Sequence, residues 1–191
     1  MKKYVGTLVF SLSLLTALPL AAHADDSTKD TEANIELTQD EDNKDVTLDA
    51  VPGVNFGSHV NSKETKTYTA ESVSGNVQVT NPGSSDGWAV QAKRTAFTGS
   101  NTSMKGEKIT FANGTVAATD TGNASKTPTT QDFEITTENS NILVATKGEG
   151  VGEFTMTHDK GDVSLYVPAG NVADNYTSTI TWSLTNTPDT K

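Results

Sequence analysis

The sequence predicts an all-β protein: a single antiparallel β-sandwich or barrel-like domain behind a disordered acidic N-terminal leader. Three observations carry this expectation. Short segments rich in Thr and Val recur from Val46 onward, separated by Gly, Pro, Asn and Asp turn signals. No stretch of about ten or more residues shows clean helical periodicity. The chain contains no Cys, so disulfides and thiolate metal sites are excluded and a packed core must hold the fold.

Residues 1–24 read as a secretory signal peptide. Lys2 and Lys3 give a basic start, an apolar run extends from Val5 to Leu20, and Ala22-His23-Ala24 supplies a small-residue cleavage site. The alternative, an uncleaved membrane anchor, sits poorly with Gly6, Thr7, Ser11, Ser13, Thr16 and Pro19 inside the run. Cleavage after Ala24 would leave a mature chain with no membrane span. The last expected strand finishes almost at Lys191, and no sorting motif, hydrophobic tail or lipidation Cys is read after that strand, so retention on a cell is expected to be non-covalent.

Residues 25–45 form the expected flexible leader, polar and nearly free of aliphatics apart from Ile35 and Leu37. The chain carries a net charge of −10, most of it from this leader. Such an acidic protein has no electrostatic attraction for nucleic acid or anionic lipid, and both are rejected as partners. The run Asp40 to Asp45, DEDNKD, tempts a calcium reading. It lacks the Gly at the sixth position and an acid at the twelfth, where Val51 falls, so a solvated spacer is the better account.

The β domain is expected over residues 46–191. VTLDAV is its first strand, broken by Pro52-Gly53, and VNFGSHV follows. Then come TKTYTA, NVQVTN, WAVQAKRTAF, KITFA and TVAAT. DTGNASKTPTT is a polar loop. DFEITT, NILVAT, the Gly-rich GEGVGEF, VSLYVP and YTSTITWSLT complete the series. In the last, Tyr176, Ile180, Trp182 and Leu184 share one parity and Thr177, Thr179, Thr181, Ser183 and Thr185 the other. Strand side chains alternate, so one face is apolar and the other hydroxyl-rich. Far upstream, Trp88 and Val90 are again two apart; these are the two Trp of the chain.

The paired pattern resembles the WxL domain family of Gram-positive cell-surface proteins, in its small form without a separate functional region. The family's second motif is Tyr, three residues, an aliphatic, Thr-Trp-x-Leu, three residues and Pro. Tyr176, Ile180, Thr181, Trp182, Leu184 and Pro188 fill it. Val46 to Ser58 looks like the family's opening segment and Ser164 to Gly170 like the approach to the second motif. Val90 stands where the first motif usually has Leu. The resemblance implies a non-enzymatic module that needs both motifs to hold the wall polymer peptidoglycan.

Parity leaves two readings open for the indoles. They are either core fillers or an exposed surface for glycan or a partner protein. The other candidates weaken on inspection. Gly83 to Gly87 matches G-x-S-x-G, but a turn and strand follow instead of the helix a nucleophile elbow needs. His59 and His158 lack a third ligand, and HDKGD reads as a solvated turn. Asp159 and Asp162 could face each other across it, yet nothing supplies the cleft that glycoside hydrolysis requires. Lys147 to Gly152 has neither phosphate-loop spacing nor a following helix. No catalytic residue, cofactor or metal is therefore expected. Two functions compete: direct attachment to peptidoglycan, and docking on a WxL-interacting protein that reaches the wall on the domain's behalf.

Overall fold

The computed structural model describes residues 29–186. The expected signal peptide and Pro188 lie outside the described residues. From Lys29 to Asp45 the chain has no helix or strand and is exposed. The Asp40 carboxylate accepts the Asp42 N–H and the Asn43 amide, closing a turn on itself.

Thirteen strands follow among the described residues: β1 (Thr47–Ala50), β2 (Gly53–Asn55), β3 (Lys66–Thr69), β4 (Ser72–Ser74), β5 (Val77–Asn81), β6 (Trp88–Arg94), β7 (Lys108–Phe111), β8 (Thr115–Ala118), β9 (Phe133–Ile135), β10 (Ser140–Ala145), β11 (Gly152–Thr157), β12 (Val163–Val167) and β13 (Ile180–Thr185). One turn of 3-10 helix, Lys160–Asp162, is the only helical element described. The strands form four sheets, ordered β1-β5-β11-β8, β10-β6-β13, β3-β12-β7-β9 and β2-β4. Every pairing is antiparallel and no sheet closes into a barrel.

Alternation sets which residues enter the core. Val77 and Val79 point inward from β5, Ile109 and Phe111 from β7, Phe133 and Ile135 from β9, Phe154 and Met156 from β11, and Val163 and Leu165 from β12. The rings of Phe111 and Phe133 stack at 5.1 Å. Strand β6 departs from simple alternation. It is the middle strand of its sheet, and Ala89 is buried as well as Trp88, Val90, Ala92 and Arg94.

The element pattern follows the sequence reading, with local differences. VNFGSHV is not one strand: pairing stops at Asn55, whose Oδ1 accepts the Gly57 N–H at 2.8 Å, and Gly57 turns the chain at φ +75°. Ser72–Ser74, unread in the sequence, pairs with β2. WAVQAKRTAF is regular only to Arg94. The C-terminal strand pairs continuously only from Ile180; upstream of it a single bridge joins Thr177 to Thr98.

Arg94 explains where β6 ends. Its parity places a guanidinium among apolar neighbours, and the fold answers with acceptors. Nε donates to the Ile135 carbonyl at 2.9 Å, one Nη to Glu107 Oε1 at 2.9 Å, and the other to the Glu107 carbonyl at 2.9 Å. The same group donates to the Thr95 carbonyl and lies over the Phe97 ring. The two charged side chains are each only 7% exposed. Taking such charges out of water is costly, and paired geometry with further hydrogen bonds offsets it. The network ties β6 to β9 and to the segment entering β7. Arg94→Ala is expected to cost about 3–5 kcal/mol because Glu107 is left buried and unpaired. The double variant Arg94→Met/Glu107→Leu should recover part of that loss. Urea denaturation of the three proteins checks both statements.

Candidate functional site: the tryptophan strands and the adjoining groove

The two Trp segments, about ninety residues apart in the chain, lie side by side. Strand β13 pairs with β6 so that Leu184 is opposite Val90, Trp182 opposite Ala92 and Ile180 opposite Arg94. On the other side of β6, Leu143 is opposite Val90 and Ala145 opposite Trp88. Residues opposite one another share a face, so both apolar triplets point into one interior.

The indoles differ in setting. Trp88 is completely buried. Its Nε1–H donates to the Gly150 carbonyl at 3.1 Å, so the ring is satisfied without water. Gly150 sits at φ +64°, and a Cβ there would come within 2.9 Å of the indole and 2.6 Å of the Ala145 Cβ. The Gly-rich loop Lys147 to Gly152 is thus a cap pressed against Trp88. Trp182 is half-buried and packs against the core, edge-on to Phe111 at 6.2 Å between ring centres. Val90 is buried between Leu143 and Leu184, where its smaller side chain meets only this protein's own residues. Thr181 points to the outer face, opposite Lys93.

Tyr176 and Ile180, half-buried against the core, also reach a surface. They line an open groove of about 720 Å³. Its walls are the segment Val54 to Asn61 and the segment Asn171 to Ser178; Tyr68, Phe97, Met104, Ile109, Leu165 and Val167 form the rest. The walls are tied in place. Tyr176 donates its hydroxyl to the Val172 carbonyl at 2.8 Å. The Asn61 amide donates to the Asn171 carbonyl, and the Asn171 side chain exchanges hydrogen bonds with the backbone of Lys105. His59 donates Nε2–H to the Phe56 carbonyl and stacks on Tyr68 at 4.1 Å. Asp174 accepts backbone N–H bonds, first from Asn175, which hold its carboxyl below the usual carboxylate range. The sequence reading missed this groove apart from the two motif residues and His59.

The remaining candidates are structural. In the G-x-S-x-G segment, the buried Asn81 side chain accepts the Gly83 and Ser84 N–H groups and donates to the Ser84 carbonyl. It is a turn held by an Asn. His158 corrects the sequence reading of a solvated turn: it is half-buried edge-on to both Phe111 and Phe133. Burial pushes its pKa down, opposed by the charges of Asp162 and Asp132. Asp162 is engaged by Asn113, whose amide it accepts at 2.7 Å. Among the described residues no cluster of three or more His, Asp or Glu side chains could hold a metal ion. No described helix is long and apolar enough to cross a membrane.

The fold and these strands define an antiparallel all-β domain whose two Trp-x-aliphatic segments close a common core. A family model described as "WxL domain surface cell wall-binding" matches residues 19–188. The chain belongs to the WxL domain family, a family of cell-wall-binding domains and not of enzymes. Membership supports a cell-wall-associated surface role. No curated protein and no solved structure matches the chain.

Two outcomes follow for stability. Trp88→Ala should cost about 3–5 kcal/mol, the range for a buried aromatic, and Trp182→Ala about 1–3 kcal/mol because part of its ring is wet. Denaturation midpoints of the two variants check the order. For His158 the folded pKa lies below the unfolded value, so the unfolded chain binds the proton more readily. The contribution is complete above the ordinary His pKa of about 6.5 and is lost as pH falls below it. The melting temperature should decline on acidification from neutrality, and His158→Gln should flatten that decline.

Proposed function

We propose that this domain attaches non-covalently to the cell wall by gripping peptidoglycan directly, and that the second motif serves this end by shaping the groove. The observation that carries the reading is the split within the motifs. Trp88, Val90, Trp182 and Leu184 pack inward, whereas Tyr176 and Ile180 contribute to a pre-formed open groove. The Trp-x-aliphatic pairs then act through the fold: they set β13 against β6 and fix the segment that carries Tyr176. Thr181 stands on the outer face, and Pro188 has its part only through the sequence motif.

Charge refines the proposal. The chain is acidic, so anionic wall polymers should repel it, and association with them needs screening by salt, acid or a divalent cation. Purified protein incubated with washed, polymer-stripped sacculi should be retained in low salt. Failure to sediment with the sacculi would remove direct attachment. Muropeptide release by the same preparation would overturn the non-enzymatic reading.

A second reading rests on one observation. Val60 and Val172, on the two segments that wall the groove, are 93% and 62% exposed. Such apolar side chains suit a protein contact, as a WxL-interacting subunit would make. Retention on sacculi only when that subunit is added would favour this reading.

A further inference from the structure

We propose that the acidic leader is a strand donated from one copy of this protein to the next. Residues 34–37 add to the free edge of β3 in a second copy and lay Ile35 and Leu37 in that copy's groove, joining the copies head to tail. The proposal goes beyond the wall-attachment reading and does not rest on it.

The donor is written in the leader. Ala33, Ile35 and Leu37 share one parity and Asn34, Glu36 and Thr38 the other, the alternation of a half-buried strand. Yet this segment is paired with no strand, and Ile35 and Leu37 are 86% and 87% exposed. The acceptor is a sheet edge beside an apolar trough. Strand β3 is the outer strand of its sheet, paired with β12 and with no strand on its other side among the described residues. Tyr68 is opposite Leu165, and Leu165 opposite Ile109, so the inner face of that sheet floors the groove. Strand β2, which also lines it, pairs only with β4. On the walls Val60 and Val172 are left exposed. A strand added at β3 meets free backbone groups along one edge, and its alternate side chains turn into the trough; these are the two requirements of strand addition. Charge agrees. Glu32 and Glu36 belong to the donor, whereas Lys63 precedes β3 and Lys105 is tied through its backbone to the Asn171 wall.

Chain reach assigns the donor to another copy. Strand β13 pairs with β6 from Ile180 opposite Arg94 to Thr185 opposite Ala89. The groove, with Tyr176, Ile180 and Phe97, lies at the Arg94 end. Gln39 and Lys44 lie at the other end, in a shallow hollow with Ser84, Gly87 and Asn186. The six steps from Ile180 to Asn186 separate the two ends by about 20 Å. From Gln39 an extended chain reaches back about 7 Å to Leu37 and about 14 Å to Ile35. Neither side chain spans the distance to its own groove. A donor at one end and an acceptor at the other make a heterologous contact, which repeats from copy to copy. In an open row one terminal groove stays unfilled, and that copy is the one free to meet the wall.

The test is sedimentation of the purified protein, with cysteine trapping to locate the contact. The average mass should rise with protein concentration. The double variant Ile35→Asp/Leu37→Asp alters only exposed leader residues; it should weaken association about tenfold or more and leave the melting temperature unchanged. The chain has no Cys, so introduced thiols report without background. Glu36→Cys and Thr67→Cys, prepared separately and mixed in a glutathione redox buffer, should form a disulfide-linked dimer, because both side chains stand on the outer face of the joined sheet. Glu36→Cys mixed with Thr115→Cys, on the outer strand β8 of another sheet, should not. A protein that stays monomeric at every concentration overturns the proposal. So does association that survives the leader variant, or trapping at Thr115→Cys as efficient as at Thr67→Cys. A disulfide that closes within single molecules of Glu36→Cys/Thr67→Cys overturns the exchange between copies.

Discussion

A strand flanked on both sides has no freedom of register, and β6 is one such strand, the one that carries the first Trp segment. It holds β10 along one edge and β13 along the other. A slip of one residue would exchange its faces, carrying Trp88, Val90, Ala92 and Arg94 out of the interior and Lys93 into it. Each of these inward residues has a specific complement: the Gly150 carbonyl for the indole N–H, Leu143 and Leu184 for Val90, Trp182 for Ala92, Glu107 for Arg94. The adjoining sheet is joined here too, through the Arg94 N–H to the Thr136 carbonyl and the guanidinium to Ile135. The rest of the core is ordinary strand alternation, and it depends on this one ladder being in place.

Without disulfides, the domain relies on dry packing supplemented by buried polar pairs. Asn81 and Arg94 are the buried polar residues described, and both have their hydrogen-bonding groups satisfied. They do related work. Each stops a strand and folds the following turn around itself, Asn81 before the Gly83 turn and Arg94 before Thr95 and Phe97. Polar groups that specify where an element ends are stabilising only while every partner is present.

Most of the strand pattern was legible because alternation and turn chemistry are local. Val77 and Val79, Ile109 and Phe111, and Val163 and Leu165 show their burial directly in their spacing. The strands misjudged in length were those ended by a side chain reaching elsewhere, as Asn55 and Arg94 do. The sequence did hold a signal for Arg94: its parity is that of Trp88 and Val90, and a cation on an apolar face demands a buried acid. Which acid could not be read, since Glu107 lies beyond an irregular loop. The setting of the indoles was undecidable for the same reason. Parity tells which way a side chain points, but not how far into the sheet its strand lies, and β13 is at the edge. The groove is walled by two largely irregular segments more than a hundred residues apart and floored by residues of several strands, and no periodic pattern marks such a surface.

The pairing of β6 with β13 also orders events in time. Partners separated by some ninety positions cannot meet until both exist in the same space, and long loop closure is the slow step in such topologies. A polypeptide delivered amino end first would keep its interior open until residue 185 had emerged. Until then Val90 and Ala92 lack Leu184 and Trp182, their neighbours on β13, and that edge of β6 is unpaired. Strand β13 is therefore a latch: the sheet built on β6 stays incomplete until this distant segment pairs with it.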